Sequence, residues 1–286
     1  MGAHDLGNQR ANTSVFYLKG MNVGFVLLAE GELHYQLDGP PDAQVLVLSN
    51  SLGTDLGMWD TQMPVFAEHF RVLRYDTRGH GRSLVTPGPY SIEQLGHDVL
   101  ALLDALNIER AHFCGLSMGG LIGQWLGINA GHRLQRLIVC NTAAKIGDAA
   151  GWNPRIEAVS TGGQAAMLAL RDGAVSRWFT PAFAEAHPDR VKPITEMLAA
   201  TSPEGYAANC CAVRDADFRD QLAQIQRPLL VISGSEDAVT PPSGGIFIQQ
   251  HVEGAEYAEF QAAHLSNVQA GDGFSQRVLD FLSARV

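Results

Sequence analysis

The sequence has few cysteines, a deficit of positive charge and no long apolar run, and each shortage excludes a class of protein. Four cysteines occur in 286 residues, without a Cys-x-x-Cys pair or a zinc-binding spacing, which predicts reduced thiols and a cytoplasmic protein. Lysine and arginine number 20 against 30 aspartates and glutamates, and the net charge of −10 argues against nucleic acid or a membrane surface as a partner. No apolar run reaches about 18 residues, so the sequence offers no membrane span.

The apolar residues that are present come in short blocks, as expected of a globular α/β protein. Hydrophobic residues make up 46% of the chain and charged residues 17%. Short continuous apolar runs alternate with amphipathic stretches, and such runs are typical of strands covered on both faces. We therefore predict the α/β class, with a mostly parallel central sheet and helices on both faces. The runs are Val45–Leu48, Arg71–Tyr75, Ala111–Leu116, Leu134–Cys140 and Pro228–Gly234.

The pattern divides the chain into a leader, a core in two parts and an insertion. Residues 1–20 are polar and lack the apolar segment of a secretory signal, so we interpret them as a disordered leader or an added extension. Residues 21–141 and 220–286 carry the strand runs of the core. Residues 142–219 have helical patterns punctuated by prolines, with the first helix predicted from Gly163. We interpret this insertion as a helical cap over the core.

One pentapeptide, Gly115-Leu116-Ser117-Met118-Gly119, organises the predicted chemistry. It follows an apolar run and precedes a stretch with glycine at every fourth position, which indicates a strand, a sharp turn and a helix. Gly-x-Ser-x-Gly in that setting is a nucleophile elbow, which lifts the serine hydroxyl above the edge of the sheet. We therefore predict Ser117 as the nucleophile and the backbone N–H of Met118 as an oxyanion donor.

A serine nucleophile needs a general base and a carboxylate that orients the base, and both follow in the order typical of this elbow. Asp237 comes shortly after an apolar run and His264 follows the last predicted strand, so both fall in loops where catalytic groups of parallel sheets gather. We predict Asp237 as the acid and His264 as the base. The rival acids are the adjacent Glu236 and, at the exit of the cap, Asp217.

Two further loops require interpretation. Ser49–Gly53 follows an apolar run, and because an oxyanion hole needs two convergent N–H groups, we predict the N–H of Leu52 as the second donor. The stretch Asp76–Ser83 contains aspartate, histidine and serine together, but neighbours in one loop cannot form a line of nucleophile, base and acid. We therefore interpret His80, within this stretch, as part of a structural turn without a direct role in the chemistry.

The elbow, the order of serine, acid and histidine, and the Asp76–Ser83 stretch resemble the α/β-hydrolase superfamily. Three narrower stretches are similar to the 3-oxoadipate enol-lactonases of bacterial aromatic catabolism, and the resemblance extends from about Met21 to the C-terminus. Many members of that family begin the oxyanion loop with His-Gly, whereas this chain has Asn50-Ser51. The three stretches are Ser51–Trp59, Tyr75–Gly81 and Cys140–Gly147.

This resemblance implies an enzyme that hydrolyses 3-oxoadipate enol-lactone to 3-oxoadipate in the beta-ketoadipate pathway, through an acyl-serine and without a metal or cofactor. The implied substrate is a small anionic lactone, and an acidic protein needs a local cation or donor to receive its carboxylate. Trp152 and Arg155 lie just inside the entrance of the cap, and we predict them as substrate contacts. The alternatives are a general carboxylesterase, a cofactor-free perhydrolase or haloperoxidase, and a non-enzymatic ligand receptor of the same fold.

Overall fold

The computed structural model describes residues 15–17 and 23–284, whose strands form one sheet. The strands are β1 (Val15–Tyr17), β2 (Val23–Leu28), β3 (Gly31–Asp38), β4 (Val45–Ser49), β5 (Arg71–Tyr75), β6 (Ala111–Leu116), β7 (Leu134–Cys140), β8 (Leu229–Gly234) and β9 (Glu256–Phe260). Their order across the sheet is β1-β2-β3-β5-β4-β6-β7-β8-β9. The pairs from β5–β4 to β8–β9 are parallel, and the three pairs at the β1 end are antiparallel. The predicted mostly parallel sheet is confirmed.

Helices connect the strands and cover the sheet. Within the described residues they are α1 (Met63–His69), α2 (Ile92–Ala105), α3 (Met118–Asn129), α4 (Ala149–Trp178), α5 (Pro181–Ala186), α6 (Pro188–Ala200), α7 (Pro203–Asp215), α8 (Pro242–His251), α9 (Ser266–Gln269) and α10 (Gly271–Ser283). Helix α3 packs against β6 and β7, and α8 packs against β8. Every residue of β6 and β8 is buried, so both faces of the sheet are covered, as the continuous apolar runs predict.

The sheet positions the site through the direction of its strands. Strands β4 and β6 to β9 run parallel to one another, so their carboxyl ends meet at one edge. The bounds of β5, β6 and β7 are those of their apolar runs, and nearly all residues of these three strands are buried. The loops after β6, β8 and β9 carry the predicted nucleophile, acid and base, in that order.

Helices α4 to α7 lie between β7 and β8, inside the segment predicted as the cap. Helix α4 begins at Ala149, well before the predicted start at Gly163, because Asp148 caps it by accepting a hydrogen bond from the N–H of Gly151 at 2.9 Å. Its proline and glycines lower helix propensity, and packing against α6 and α7 stabilises it instead. At Gly163 the backbone leaves helical geometry, with φ 54° and ψ −134°, so α4 is kinked into two halves.

The two ends of the cap meet beside the end of β7. The N–H of Phe218 donates to the carbonyl oxygen of Ala144 at 2.9 Å. Lys145 Nζ lies 3.2 Å from Asp217 Oδ2, so an ion pair joins the same two ends. The chain thus enters and leaves the cap at one place.

Most of the predicted leader lies outside the described residues. Within residues 1–20 the structure describes Val15–Tyr17, which pairs antiparallel with β2 as the outermost strand of that side of the sheet.

None of the described helices is both long and apolar enough to cross a bilayer.

Candidate active site

Ser117 occupies the turn between β6 and α3 in a conformation that few residues with a side chain adopt. Its φ is 58° and its ψ is −111°, and its N–H donates to the carbonyl oxygen of Cys140 at 2.9 Å. A Cβ atom at Gly115 would lie 2.0 Å from the Gly119 carbonyl oxygen, and one at Gly119 would lie 2.3 Å from the Ser49 carbonyl oxygen. Both positions therefore require glycine, which is the physical reason for the Gly-x-Ser-x-Gly spacing.

The loops after β8 and β9 bring Asp237 and His264 into contact. His264 Nδ1 lies 2.8 Å from Asp237 Oδ2, and both side chains are buried. Asp237 Oδ1 accepts from the N–H groups of Val239 (2.8 Å) and Thr240 (3.0 Å), and Oδ2 accepts from the Thr240 hydroxyl at 2.8 Å. Burial raises the pKa of Asp237, but the charge of His264 and these hydrogen bonds outweigh it and lower the pKa to about 2. An ionised carboxylate accepts at Nδ1–H and leaves Nε2 for a nucleophile.

Ser117 and His264 line the same cavity. Both hydrogen bonds of the His264 ring are made at Nδ1, to Asp237 and Thr240. In the described part of the chain, no hydrogen bond of 3.5 Å or less joins Ser117 Oγ to Nε2. Such a link is often long in a substrate-free site and tightens when substrate binds. The structure thus brings all three predicted residues to one site, with the acid–base contact formed and the serine–base contact open.

The rival acids lie elsewhere. Glu236 is exposed and lines a separate cavity beside α5. Asp217 pairs with Lys145 and Arg219 at the end of the cap. Of the three candidates, Asp237 is the one whose carboxylate contacts the imidazole of His264.

Asn141, which the sequence analysis did not single out, joins the loop after β7 to the two loops that carry Asp237 and His264. Its Nδ2 donates to Asp237 Oδ2 at 3.0 Å and to the carbonyl oxygen of Ala263 at 3.2 Å. Its Oδ1 accepts from the hydroxyl of Ser266, and its φ is 45°, a conformation that asparagine tolerates. The sequence feature that could have indicated this role is its position directly after β7, at the edge of the sheet where the site forms.

The two predicted oxyanion donors have no competing acceptor. The N–H groups of Leu52 and Met118 make no hydrogen bond to any other part of the described chain. Asn50 holds the loop of Leu52 in place, because its Nδ2 donates to the carbonyl oxygen of Tyr75 at 2.8 Å and its own carbonyl accepts from Gly119 at 3.1 Å. Asn50 therefore anchors the loop twice, through its side chain to the end of β5 and through its backbone carbonyl to the elbow.

The predicted substrate contacts line the cavity together with an arginine that sequence reasoning missed. Trp152, Arg155 and Arg177 all form part of its wall. The guanidinium of Arg155 lies 5.1 Å from the centre of the Trp152 ring, whose N–H donates to the Ile146 carbonyl oxygen at 2.7 Å. Burial, and then the charge of Arg155, lower the pKa of Arg177. Among the described residues no carboxylate lies within 4.0 Å of either guanidinium. Because α4 is kinked between them, helical spacing does not relate the two arginines.

Known proteins are similar to this chain over most of its length. The sequence profile of the alpha/beta hydrolase fold family matches residues 44–270. The chain belongs to that family. It is 46% identical over 246 residues to 3-oxoadipate enol-lactonase 2 of Acinetobacter baylyi, which covers 86% of this chain and 91% of that protein. It is 44% identical to 3-oxoadipate enol-lactonase 1 of the same organism, over 88% of this chain and 93% of the relative.

A solved structure agrees with these relatives. The crystal structure of the enol-lactonase from Burkholderia xenovorans LB400 has a TM-score of 0.88 to this chain, at 46% identity, and the match covers 91% of this chain and 100% of that one. At these identities and lengths the chain also belongs to the enol-lactonase family.

In this hydrolase Ser117 lines the inner part of a two-part cavity. The inner part has a volume of about 60 Å³ and holds Ser117 and His264 in its wall. An outer part of about 400 Å³ shares Trp152 and both arginines with it. A larger cavity of about 770 Å³ between α4 and α7 is lined by none of the predicted site residues. A substrate that reaches the serine through the outer part therefore passes the two guanidinium groups.

Proposed function

We propose that this protein hydrolyses 3-oxoadipate enol-lactone to 3-oxoadipate, with Ser117, His264 and Asp237 as its catalytic residues. The observation that carries the proposal is the presence, around one inner cavity, of a serine, an imidazole and two arginines that no carboxylate of the described residues pairs with. A lactone offers its ring carbonyl to the serine, and its carboxylate arm is an anion suited to a guanidinium. The names of the relatives at 44–46% identity support the same substrate.

Acylation opens the lactone ring. His264 Nε2 takes the proton of the Ser117 hydroxyl while the oxygen attacks the ring carbonyl carbon. The ionised Asp237 stabilises the imidazolium that forms, and the N–H groups of Leu52 and Met118 hold the oxyanion of the tetrahedral intermediate. When the intermediate collapses, the ring C–O bond breaks and the imidazolium of His264 gives its proton to the enol oxygen, which leaves still tethered to the acyl chain.

Deacylation returns the free enzyme. The released enol loses its hydroxyl proton and takes one at carbon, so it becomes a ketone, which removes the nucleophile that could close the ring again. The neutral His264 then takes a proton from a water molecule whose oxygen attacks the acyl-serine carbonyl. When the bond between the acyl carbon and Ser117 Oγ breaks, His264 returns that proton to Oγ and the Ser117 hydroxyl is restored. The products are 3-oxoadipate and the enzyme, and the steps call for no metal or cofactor.

The proposed division of the chain follows from these roles. Residues 21–141 and 220–286 form the core that carries the nucleophile, acid and base. Residues 142–219 form the cap that receives the carboxylate arm, with Arg155 and Arg177 as its cationic contacts and Trp152 as the apolar wall beside them. We also propose a cytoplasmic location, a prediction that the four free thiols support.

The direct test is the ultraviolet-monitored loss of 3-oxoadipate enol-lactone with wild-type protein and with Ser117→Ala. We expect rapid loss with the wild type and a decrease of about 10⁵-fold or more in kcat in the variant, because the nucleophile is removed. Muconolactone and simple aryl esters serve as comparison substrates. An inactive wild type on the enol-lactone, together with good turnover of muconolactone or an aryl ester, would show that the substrate has been assigned wrongly.

A further inference from the structure

His80 is a buried imidazole that the proposed mechanism leaves without a task. It is 1% exposed and does not line the inner cavity. Its Nε2 accepts a hydrogen bond from the backbone N–H of Gly53 at 2.9 Å, and its Nδ1 lies 3.4 Å from the carbonyl oxygen of Arg78. An imidazole that accepts at Nε2 is neutral and carries its proton at Nδ1. Burial lowers the pKa of His80 to about 4, so the ring is neutral at neutral pH.

The Gly53 N–H belongs to the loop that carries the oxyanion donor Leu52. The Ser51 carbonyl and the Leu52 N–H are opposite ends of one planar trans peptide unit, so fixing one fixes the direction of the other. The Ser51 oxygen accepts from the Thr54 N–H at 3.2 Å and from the Thr54 hydroxyl at 2.8 Å. The next peptide unit, Leu52–Gly53, is held through its N–H by His80. Both peptide units that flank the Cα atom of Leu52 are therefore fixed.

The imidazole itself stands on a turn that is held from two sides. The His80 N–H donates to the Thr77 carbonyl oxygen at 2.9 Å, within the loop that follows β5. Gly79 packs on the cap so closely that a Cβ atom there would lie 2.8 Å from Gly205 Cα. Asn209 Nδ2 donates to the Arg78 carbonyl oxygen at 2.8 Å. The acceptor atom of His80 is thus fixed relative to both the sheet and α7.

We propose that His80 is a positioning residue of the oxyanion hole: its neutral Nε2 fixes the Leu52–Gly53 peptide unit and so keeps the Leu52 N–H directed at the oxyanion. The inference rests on the proposed function, in which that N–H is one of two donors. Without the acceptor, the Gly53 N–H has no partner in the described chain, the Leu52–Gly53 unit can turn, and the hydrogen bonds from Thr54 to the Ser51 oxygen alone hold the unit that carries the Leu52 N–H. A shift of that N–H away from the oxyanion weakens or removes one donor.

The test compares His80→Ala with His80→Gln. A glutamine amide oxygen can accept from Gly53 in place of Nε2, whereas alanine cannot. One oxyanion donor accounts for about 10²–10³ in kcat in comparable sites, so we expect a decrease of about 100-fold in kcat for His80→Ala with KM within about twofold. We expect His80→Gln to retain kcat within about fivefold. Equal losses in the two variants, or a rise in KM with unchanged kcat, would overturn the proposal.

A second readout separates positioning from general damage. A boronic acid that forms a tetrahedral adduct with Ser117 resembles the oxyanion intermediate, whereas 3-oxoadipate does not. Affinity for the boronic acid should fall in His80→Ala by about the same factor as kcat, while affinity for 3-oxoadipate stays within about twofold. Parallel losses of affinity for both ligands would show a merely structural role and contradict the inference.

The wild-type protein supplies a measurement that needs no variant. The ¹⁵N chemical shifts of the His80 ring should be those of a neutral imidazole with its proton at Nδ1, and a proton at Nε2 would exclude the Gly53 hydrogen bond. Turnover of p-nitrophenyl acetate separates this inference from the proposed substrate, because any ester forms an oxyanion at Ser117. If the enol-lactone is inert but the His80 variants differ as expected on p-nitrophenyl acetate, the substrate is wrong and the inference stands. If the enol-lactone turns over and the variants match the wild type on both substrates, the inference alone is wrong.

Discussion

The edge of the sheet and the cap hold the side chains of the proposed site by different means. At the edge, the carboxylate of Asp237 accepts five hydrogen bonds from its neighbours. In the cap, the one hydrogen bond that the Arg177 side chain makes within the described residues is to the Leu170 carbonyl oxygen at 3.2 Å, and Arg155 lies against an aromatic ring. Groups that take part in the chemical step must be held within about 0.5 Å of their productive geometry, which the dense hydrogen bonding around Asp237 supplies. We therefore expect variants at the edge to lower kcat and variants in the cap to raise KM.

The largest expected effect is at the acid of the edge. Asp237→Asn should lower kcat by about 10⁴-fold, because an amide no longer holds the correct tautomer of His264 or stabilises its cation. The matched control is Glu236→Gln, which changes the adjacent, exposed carboxylate and should leave steady-state kinetics unaltered. A loss in Glu236→Gln as large as that in Asp237→Asn would contradict the assignment of the acid.

In the cap, Arg155→Gln and Arg177→Gln should each raise KM for the enol-lactone about 10-fold or more, because a hydrogen bond between charged groups contributes about 1.5–3 kcal/mol. The value of kcat should stay within about threefold. Arg171→Gln is the control, since Arg171 lies on the same helix but pairs with Asp172 and lines neither part of the cavity. A fall in kcat with unchanged KM would show that the arginines act in the chemical step, and it would contradict the proposed difference between the edge and the cap.

The acid at the edge should also make the stability of the fold depend on pH. The pKa of Asp237 is lowered to about 2 in the folded protein, below the ordinary value of about 3.9 for the unfolded chain. The ionised carboxylate therefore stabilises the fold above about pH 4, and this stabilisation, about 2 kcal/mol, is lost as the pH falls towards 2. Urea unfolding of wild type and Asp237→Asn across that range should show the steeper loss in the wild type. Parallel curves would mean that Asp237 does not have a depressed pKa.

The smallest expected effect concerns the kink of α4. Gly163→Ala should lower the free energy of unfolding by about 1 kcal/mol, because alanine is strained at a φ of 54° while no described atom lies within 4 Å of the added Cβ. Gly151→Ala, at an ordinary helical position whose nearest atom is 3.7 Å away, should instead be neutral or stabilising. Thermal unfolding of the two variants measures the difference. If both variants shift the midpoint of thermal unfolding by the same amount, a side chain at position 163 is not strained.

The sequence predicts the edge of the sheet well because strong local signals determine it. Continuous apolar runs indicate the strands, and the elbow requires glycine at two positions for steric reasons that leave a recognisable spacing. Ser117, Asp237 and His264 follow strand ends, so the direction of the parallel sheet is enough to bring them together. Asn141 shares this position, yet an asparagine after a strand carries no chemical signature of its own.

The cap is less predictable because tertiary packing determines it. Helix α4 contains glycines and a proline that argue against a helix, and its contacts with α6 and α7 outweigh that propensity. Arg155 and Arg177 lie on opposite sides of the kink in α4, so helical spacing does not predict that both line the same cavity. The interpretation of His80 as structural depended on its neighbours in sequence, whereas the structure relates it to Gly53, across two loops.

The hydrogen bond between Phe218 and Ala144 determines how easily the segment between them can change in length. Since the ends of the inserted segment are already held together, lengthening or replacing what lies between them leaves the strands in register. Doubling the length of a closed loop costs only about 0.6 kcal/mol in chain entropy. Exchange of this inserted segment for another of different length is therefore compatible with an unchanged sheet, and it would leave Ser117, Asp237 and His264 where they are.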